Sequence, residues 1–331
     1  MVLSRLRPQA RHIVLLLIFV LGIVSVLFVQ LPGSSLLWRE LQNTGHTILF
    51  AILALTFMGL LRGVAPSAVN KALVSYAIAG AVLVTAAVLT ELGQLLTHRE
   101  PSLNDMVRDM AGGLIGLGLY VSIDTCFIAL CRQYCYVLRI GAFMLSCCLL
   151  VVSLLPLLQL ALAYVQRNEA FPVVIDFQAD WTKPFLQLNQ AVLTRVAAPG
   201  SLTSGKQHHD HQQVSELKLN RGHYPGISMI EPYPDWSAYN TLILDVYSLQ
   251  ARALSLVLRI HDSQHNQEYS DRFNQTLTVM PGMNRFRIQL LSVQYAPVNR
   301  DMDMSHIASV ILFAVNIDGA VKLYPGMLNL E

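Results

Sequence analysis

Charge is what this chain has least of. Asp, Glu, Lys and Arg make up 13% of its 331 residues, and hydrophobic residues make up 53%. An ordinary soluble domain is about 25% charged. The deficit belongs to one half of the chain. Residues 1–166 carry 10 Lys+Arg and 6 Asp+Glu between long uncharged runs, whereas residues 167–331 carry 13 and 15. The even balance of the second half excludes a strongly basic face, and with it nucleic acid as a partner. Cysteine is equally uneven. All five lie at 126, 131, 135, 147 and 148, so the second half can form no disulfide of its own. Cys131 and Cys135 share a helical face but have no second Cys/His pair beside them, which excludes a four-ligand zinc site there. No metal ligand and no cofactor is assigned.

What the first half has instead is length without charge. After Arg5, Arg7 and Arg11, no charged residue occurs from Ile13 to Leu37. That run is too long for the apolar core of a signal peptide, and no small-x-small cleavage site follows it. A retained membrane helix over about Ile13–Leu31 is expected, since a crossing takes about 20 apolar residues. A second uncharged run lies between Glu40 and Arg62, and a third, Ala72–Thr90, closes on Glu91, Gln94 and His98. A fourth helix is expected over Met110–Cys131, interrupted by Asp124, and a fifth over Ile140–Gln166 with a kink at Pro156. A cytoplasmic N-terminus puts Arg5, Arg7, Arg11, Arg62, Lys71, Arg132 and Arg139 inside, and Arg39, Arg99 and Arg108 outside. This bias matches the positive-inside rule. Five crossings then place the second half outside the cytoplasm.

The third and fourth runs are joined by a polar hairpin at the outer edge: Glu91-Leu-Gly-Gln94, Arg99, Ser102, Asp105, Asp109, then Gly112 and Gly116. Ionisable groups are expensive in a membrane and suggest function by default. Glu91, Gln94 and His98 fall on one helical face, and His46 enters its own helix from the same side. A carboxylate with an imidazole can do acid–base chemistry, bind a polar headgroup, or pair internally. Arg99 suits phosphate or carboxylate recognition, with Glu91 and Asp105 as its internal rivals. Ser102 or Asn104 is the expected N-cap of the fourth helix, with Asp105 and Asp109 near its positive end. Gly112 and Gly116 form a small-xxx-small packing face. Asp124 is expected to hydrogen-bond within the bundle or to snorkel inward.

From about Val173 the hydrophobic period changes to two. Leu242, Leu244 and Val246 alternate with Ile243 and Asp245; Leu256, Leu258 and Ile260 alternate with Val257, Arg259 and His261. About nine such runs fit, near 173–178, 191–197, 213–219, 226–230, 240–247, 253–262, 268–279, 284–291 and 308–330, the last expected to be two strands. Short strands with Pro281-Gly282 and Asp318-Gly319 turns argue for an all-β sandwich. Tyr224, Tyr233 and Trp236 sit beside turns and are the candidate glycan-stacking residues; core packing is the competing assignment. The loop with His208, His209 and His211 reads as solvated.

The signature Glu91-x-x-Gln94, Arg99, Ser102, Asp105, Gly112 and Gly116, with His46 before it, resembles the VanZ-like family over about residues 12–125. Asp109 stands where that family often has Asn, and Asn43 where it often has a basic residue. The resemblance implies a multi-pass protein of the bacterial inner membrane and no agreed activity. Residues 171–331 are similar to galactose-binding-like jelly rolls of the carbohydrate-binding-module type. The similarity rests on Asp176-Phe177, Tyr224-Pro-Gly226, Asp235-Trp236, Arg259-Ile-x-Asp262, Asp271-Arg272-Phe273 and Pro281-Gly282-x-Asn284, while Pro325-Gly326 predicts a bulge or a turn in the last strand. The expected architecture is a transmembrane domain over 1–166 followed by an extracytoplasmic jelly-roll sandwich over 167–331. The expected partners are a membrane lipid and a lipid-linked glycan or polysaccharide. The alternatives are an intramembrane enzyme acting on a lipid-linked envelope precursor and a tethered scaffold recruiting an envelope protein.

Overall fold

The computed structural model describes residues 8–28, 33–64, 72–94, 103–125, 127, 134–200 and 213–331. The chain divides into two compact units, Met1–Leu160 and Ala161–Glu331. The first is helical: α1 (Pro8–Phe28), α2 (Leu36–Val64), α3 (Ala72–Gln94), α4 (Leu103–Ile123) and the start of α5 (Cys135–Ala170). All five are long and apolar enough to cross a membrane. The fourth begins at Leu103, ahead of the uncharged run from Met110 and where an N-cap at Ser102 would start it, so Asp105 and Asp109 lie in its first two turns and Asn104 is inside the helix. The reason is packing: Asp105, Asp109, Gly112, Gly113 and Gly116 are buried at helical spacing, so the acids share a face with the glycines. Helix α5 runs through Pro156 to Ala170.

The core of this unit gathers Val26 of α1, Phe50, Leu53 and Ala54 of α2, and Leu83 and Ala87 of α3. Helices α2 and α4 approach most closely along Gly112 and Gly116. A Cβ at Gly112 would stand 2.2 Å from the Thr47 carbonyl oxygen, and one at Gly116 2.4 Å from that of Ala51. Backbone contact at this range admits only glycine.

The second unit is a sandwich of antiparallel sheets. Its strands are β1 (Val173–Asp176), β2 (Leu186–Asn189), β3 (Ala191–Ala197), β4 (Gln213–Leu219), β5 (Gly226–Ile230) and β6 (Thr241–Ser248), then β7 (Leu254–Asp262), β8 (Phe273–Val279), β9 (Gly282–Gln289), β10 (Ile307–Ala314) and β11 (Val321–Leu330). One sheet runs β3-β4-β11-β6-β9 with β1 on β11, and the other β2-β5-β10-β7-β8. Met229, Leu258, Val310 and Leu312 of the second meet Ile175, Leu244 and Leu328 of the first around one small interior void. Alternation thus marks the right faces. Of the bulge or turn expected at Pro325-Gly326, the bulge is found: Pro325 pairs with Val246 and Leu328 with Leu244, so β11 carries one extra residue. Two features depart from the sequence pattern. Strand β2 is an extra one, and a one-turn helix α6 (Leu290–Gln294) follows β9. Both are short, and β2 is an edge strand with three of its four residues exposed, so neither carries a long periodic signal.

The last turns of α5 belong to this second unit. Arg167 donates from Nη1 to the Glu231 carbonyl (2.7 Å), its guanidinium lies 4.7 Å from the Tyr164 ring centroid, and the Tyr164 hydroxyl donates to Glu231.

Candidate functional site

In the helical unit, three helices bring one polar centre together. His46 of α2 donates from Nδ1 to Asp109 Oδ1 of α4 at 3.1 Å. Thr90 of α3 donates to Asp109 Oδ2 (3.4 Å) and to the Ala87 carbonyl (3.0 Å). Glu91, next to Thr90, completes the group. Ligand-type atoms of His46, Glu91 and Asp109 all lie within 4.8 Å of one another. All three residues are buried, and Asp109 has no exposed surface. Gly112 lies one turn from Asp109 and lets α2 close on α4, which is what brings His46 within reach.

This geometry can do two kinds of chemistry. With Nδ1–H directed at Asp109, the neutral imidazole carries its lone pair on Nε2, so the ring is oriented as a base. One nitrogen and two carboxylates also form a mixed donor set of the kind that holds a divalent transition metal. If the ring is held by Asp109, Asp109→Ala should lower stability in detergent by about 1–3 kcal/mol, because the His46 N–H loses its acceptor in a dry interior. Asp109→Asn keeps a carbonyl there and should cost less. Thermal midpoints of the two variants decide it, and an Asp109→Ala protein that melts with the wild type removes the pair from the account.

Beside this centre sits a second polar layer. Arg108 donates to Asp105 (3.0 Å) and lies 3.6 Å from Glu40 of α2, whose other oxygen accepts from Asn43 at 3.2 Å. Among the described residues, Arg108 is a partner of Asp105. Arg99 and Ser102 lie outside the described residues, and Gln94 ends α3 with its side chain outside them. At the opposite ends of the helices, Arg62 Nη2 donates to Asp124 Oδ2 (2.7 Å) and Tyr76 OH donates to the same oxygen (2.9 Å). Of the readings for Asp124, hydrogen bonding within the bundle is the one observed.

In the sandwich, the three candidate aromatic residues separate. Trp236 is fully buried and donates its indole N–H to the Tyr233 carbonyl at 2.8 Å. It is a core residue, so it offers no stacking face. Tyr233 is half-buried and stacks on Phe171 with centroids 4.0 Å apart. Tyr224 is 59% exposed and packs edge-on against Phe313 of β10. Phe313 points away from the core, opposite in direction to Leu312 and Ala314. Tyr224 thus borders the outward face of the β2-β5-β10-β7-β8 sheet. Gly226 makes room there, since a Cβ would stand 2.5 Å from that of Phe313.

The same outward face carries Arg259 and His261 on β7 and Asn274 on β8, with Arg272 just before β8; Asn274 pairs directly with Arg259. His265 accepts from Arg259 Nη2 at Nε2 (3.0 Å) and donates from Nδ1 to the Asp271 carbonyl (2.8 Å). This bonding makes it a neutral ring. Burial, then Arg259 and His265, push His261 down to about 4. Burial, then Arg272, lower Arg259 as well. The sequence showed Arg259 and His261 as outward positions of a strand but not their meeting with Arg272 and Asn274, which depends on the β7–β8 register.

No family model and no curated protein matches the chain. Among solved structures, the C-terminal β domain resembles carbohydrate-binding modules. The chain is similar to a family 11 carbohydrate-binding module from Clostridium thermocellum, solved with a β-1,3-1,4-mixed-linked tetrasaccharide (18% identity, TM-score 0.35, 48% of this chain and 93% of that one). It is similar to a family 30 module of a C. thermocellum cellulosomal cellulase (13% identity, TM-score 0.29, 44% and 86%). It is also similar to an exo-β-agarase (14% identity, TM-score 0.37, 48% of this chain), of whose length it spans 25%.

Proposed function

We propose that this is a multi-pass protein of the bacterial cell envelope that binds glycan through its sandwich. In this reading the helices up to residue 166 anchor it in the inner membrane, with the N-terminus cytoplasmic and residues 167–331 outside. The His46–Glu91–Asp109 centre, together with the hairpin residues Gln94, Arg99, Ser102 and Asp105, engages the headgroup of a lipid or lipid-linked glycan. The VanZ-like signature and the charge bias of the loops support the membrane assignment. The observation that carries the glycan assignment is the outward face of the five-stranded sheet. It presents amides (Gln187, Asn189, Asn274), hydroxyls (Ser228, Thr276) and Arg259, bordered by the exposed ring of Tyr224. Sugar hydroxyls need convergent donors and acceptors, and a sugar ring needs an apolar plate. A glycan array probed with the full chain in detergent tests this. Retention of at least one glycan, weakened by about tenfold or more in Tyr224→Ala, is expected; no glycan retained above a detergent-only control would end the assignment.

One observation favours a second reading. The His46–Asp109 pair beside Glu91 has the composition of an acid–base centre, so the helical unit would process the lipid-linked substrate it binds. Turnover of such a substrate by the wild type and its loss in Glu91→Gln would establish this. An unchanged cellular phenotype in a stably inserted Glu91→Gln protein would exclude Glu91 from the chemistry.

A further inference from the structure

Four buried side-chain atoms on the outward face between β7 and β8 have no hydrogen-bond partner among the described residues: Arg259 Nε, His261 Nδ1, Arg272 Nε and Asn274 Oδ1. Two of them are guanidinium donors. Burying a donor without an acceptor is costly, and burying like charges together is costlier. Buried polar groups in native structures are nearly all paired, so a cluster of four calls for an explanation, of which an ion bound from outside is one. The neighbouring acids cannot supply it. Asp262 and Asp271 are both taken by Arg300, with Nη2 2.8 Å from Asp262 Oδ1 and Nε 2.7 Å from Asp271 Oδ1. His265, bonded on both ring nitrogens, holds Arg259 in place without offering negative charge. Arg272 is further positioned over the exposed ring of Tyr269, 5.1 Å from its centroid. What this group lacks is an oxyanion: guanidinium forks match carboxylate and sulfate in geometry as well as charge.

The position narrows the ligand. Arg259 lies opposite Ile311 on β10, and two residues along, Val257 lies opposite Phe313, against which Tyr224 packs. Cross-strand neighbours at this diagonal are about 7–8 Å apart, within the span of a disaccharide bound over the sheet. We propose that this face is an oxyanion subsite that takes the carboxylate or sulfate of an acidic glycan, with Arg259 and Arg272 as its ligands and His261 and Asn274 beside them. The proposal rests on the glycan reading above and specifies its substrate class.

The test is calorimetric titration of the full chain in a neutral detergent. The probes are oligogalacturonate for the carboxylate, sulfated galactan oligomers for the sulfate, and mixed-linkage β-glucan and agarose oligomers as neutral partners. At least one acidic series should bind more tightly than the neutral ones and weaken as salt is raised. Which series it is identifies the anion. Arg259→Gln should weaken acidic binding about 10- to 100-fold and neutral binding much less, with an unaltered melting profile showing that it folds. Arg259→Lys should restore part of the loss. Neutral glycans that bind as well as acidic ones, or an Arg259→Gln protein with undiminished acidic affinity, would overturn the oxyanion subsite while the glycan reading stands. Thermal protection by inorganic sulfate that disappears in Arg259→Gln, with no glycan bound, would keep the anion site and overturn its assignment to a glycan.

Discussion

Arg300→Ala should lower the unfolding midpoint of the sandwich by roughly 6–20 °C. Arg300 lies in the loop before β10 and ties together the end of β7 and the turn that precedes β8. It reaches Asp262 from Nη2 (2.8 Å) and Asp271 from Nε (2.7 Å). Asp262 is 1% exposed and also accepts the Asp303 backbone N–H at 2.8 Å. Without Arg300 its carboxylate stays buried with no cation. Breaking a buried pair from one side costs about 3–5 kcal/mol, and each kcal/mol moves the midpoint of a domain this size by about 2–4 °C. Asp262→Asn in the Arg300→Ala background should recover part of the loss, since a neutral amide tolerates the site better. The acid dependence gives an independent check. The bond from Arg300, then the Asn266 N–H, hold Asp271 down to about 2. Burial raises Asp262, but the bonds from Arg300 and the Asp303 N–H outweigh it and hold this group low too. A carboxyl whose folded pKa lies below its unfolded value of about 3.9 adds stability above that pH and loses it as pH falls toward the folded value. The gap between wild type and Arg300→Ala should therefore be widest above pH of about 4 and narrow toward pH of about 2. Midpoints within 2 °C of each other at neutral pH (about one-third of the smallest shift expected) would show that this triad does not hold the loop.

The local periods in the sequence were enough to divide a helical half from an antiparallel sandwich, because both are set by which residue faces the core. Leu256, Leu258 and Ile260 are buried where β7 alternates, and Arg259 and His261 point outward. Contacts between residues distant in the chain leave no local signal. His46 and Asp109 are 63 positions apart, and spacing alone cannot single out Asp109 from Glu91 or Asp105 as the imidazole's partner. A hydropathy scan starts α4 only at Met110, whereas the capping pattern at Ser102 or Asn104 already puts Asp105 and Asp109 in its first turns. What local pattern cannot give is that His46 and Thr90 of other helices bond Asp109, while Arg108 of the same helix bonds Asp105. Trp236 illustrates the reverse error. Its neighbours Pro234 and Asp235 mark a turn, but the indole folds inward and satisfies its N–H on Tyr233. Turn chemistry places the backbone at the surface and leaves the direction of a large side chain to packing.

Alanine at Gly112 or Gly116 should damage the helical unit more than alanine at any of its other tested glycines, and should do so through the polar centre. The ideal Cβ at Gly112 meets the Thr47 carbonyl oxygen at 2.2 Å and the Phe50 Cβ at 2.9 Å; at Gly116 it meets the Ala51 oxygen at 2.4 Å and the Ala54 Cβ at 2.6 Å. A backbone oxygen inside a helix cannot step aside as a side-chain tip can, so α2 must back away from α4 as a body. His46 adjoins Thr47 and travels with it, stretching its 3.1 Å contact with Asp109. Overpacking of this kind costs about 1–3 kcal/mol or more. Two glycines calibrate the expectation. At Gly113 the nearest atom is the mobile Leu83 Cδ1 at 3.4 Å, and at Gly80 nothing lies within 4 Å. Gly113→Ala should be close to neutral, and Gly80→Ala should stabilise by up to about 1 kcal/mol through helix propensity. Melting in one detergent should rank Gly80→Ala at or above wild type, then Gly113→Ala, then Gly112→Ala and Gly116→Ala. Because the Gly112 change already displaces His46, combining it with Asp109→Ala should cost less than the sum of the two. Strict additivity would mean that α2 yields somewhere other than at His46, and that the glycine contact and the polar centre are independent parts of the bundle.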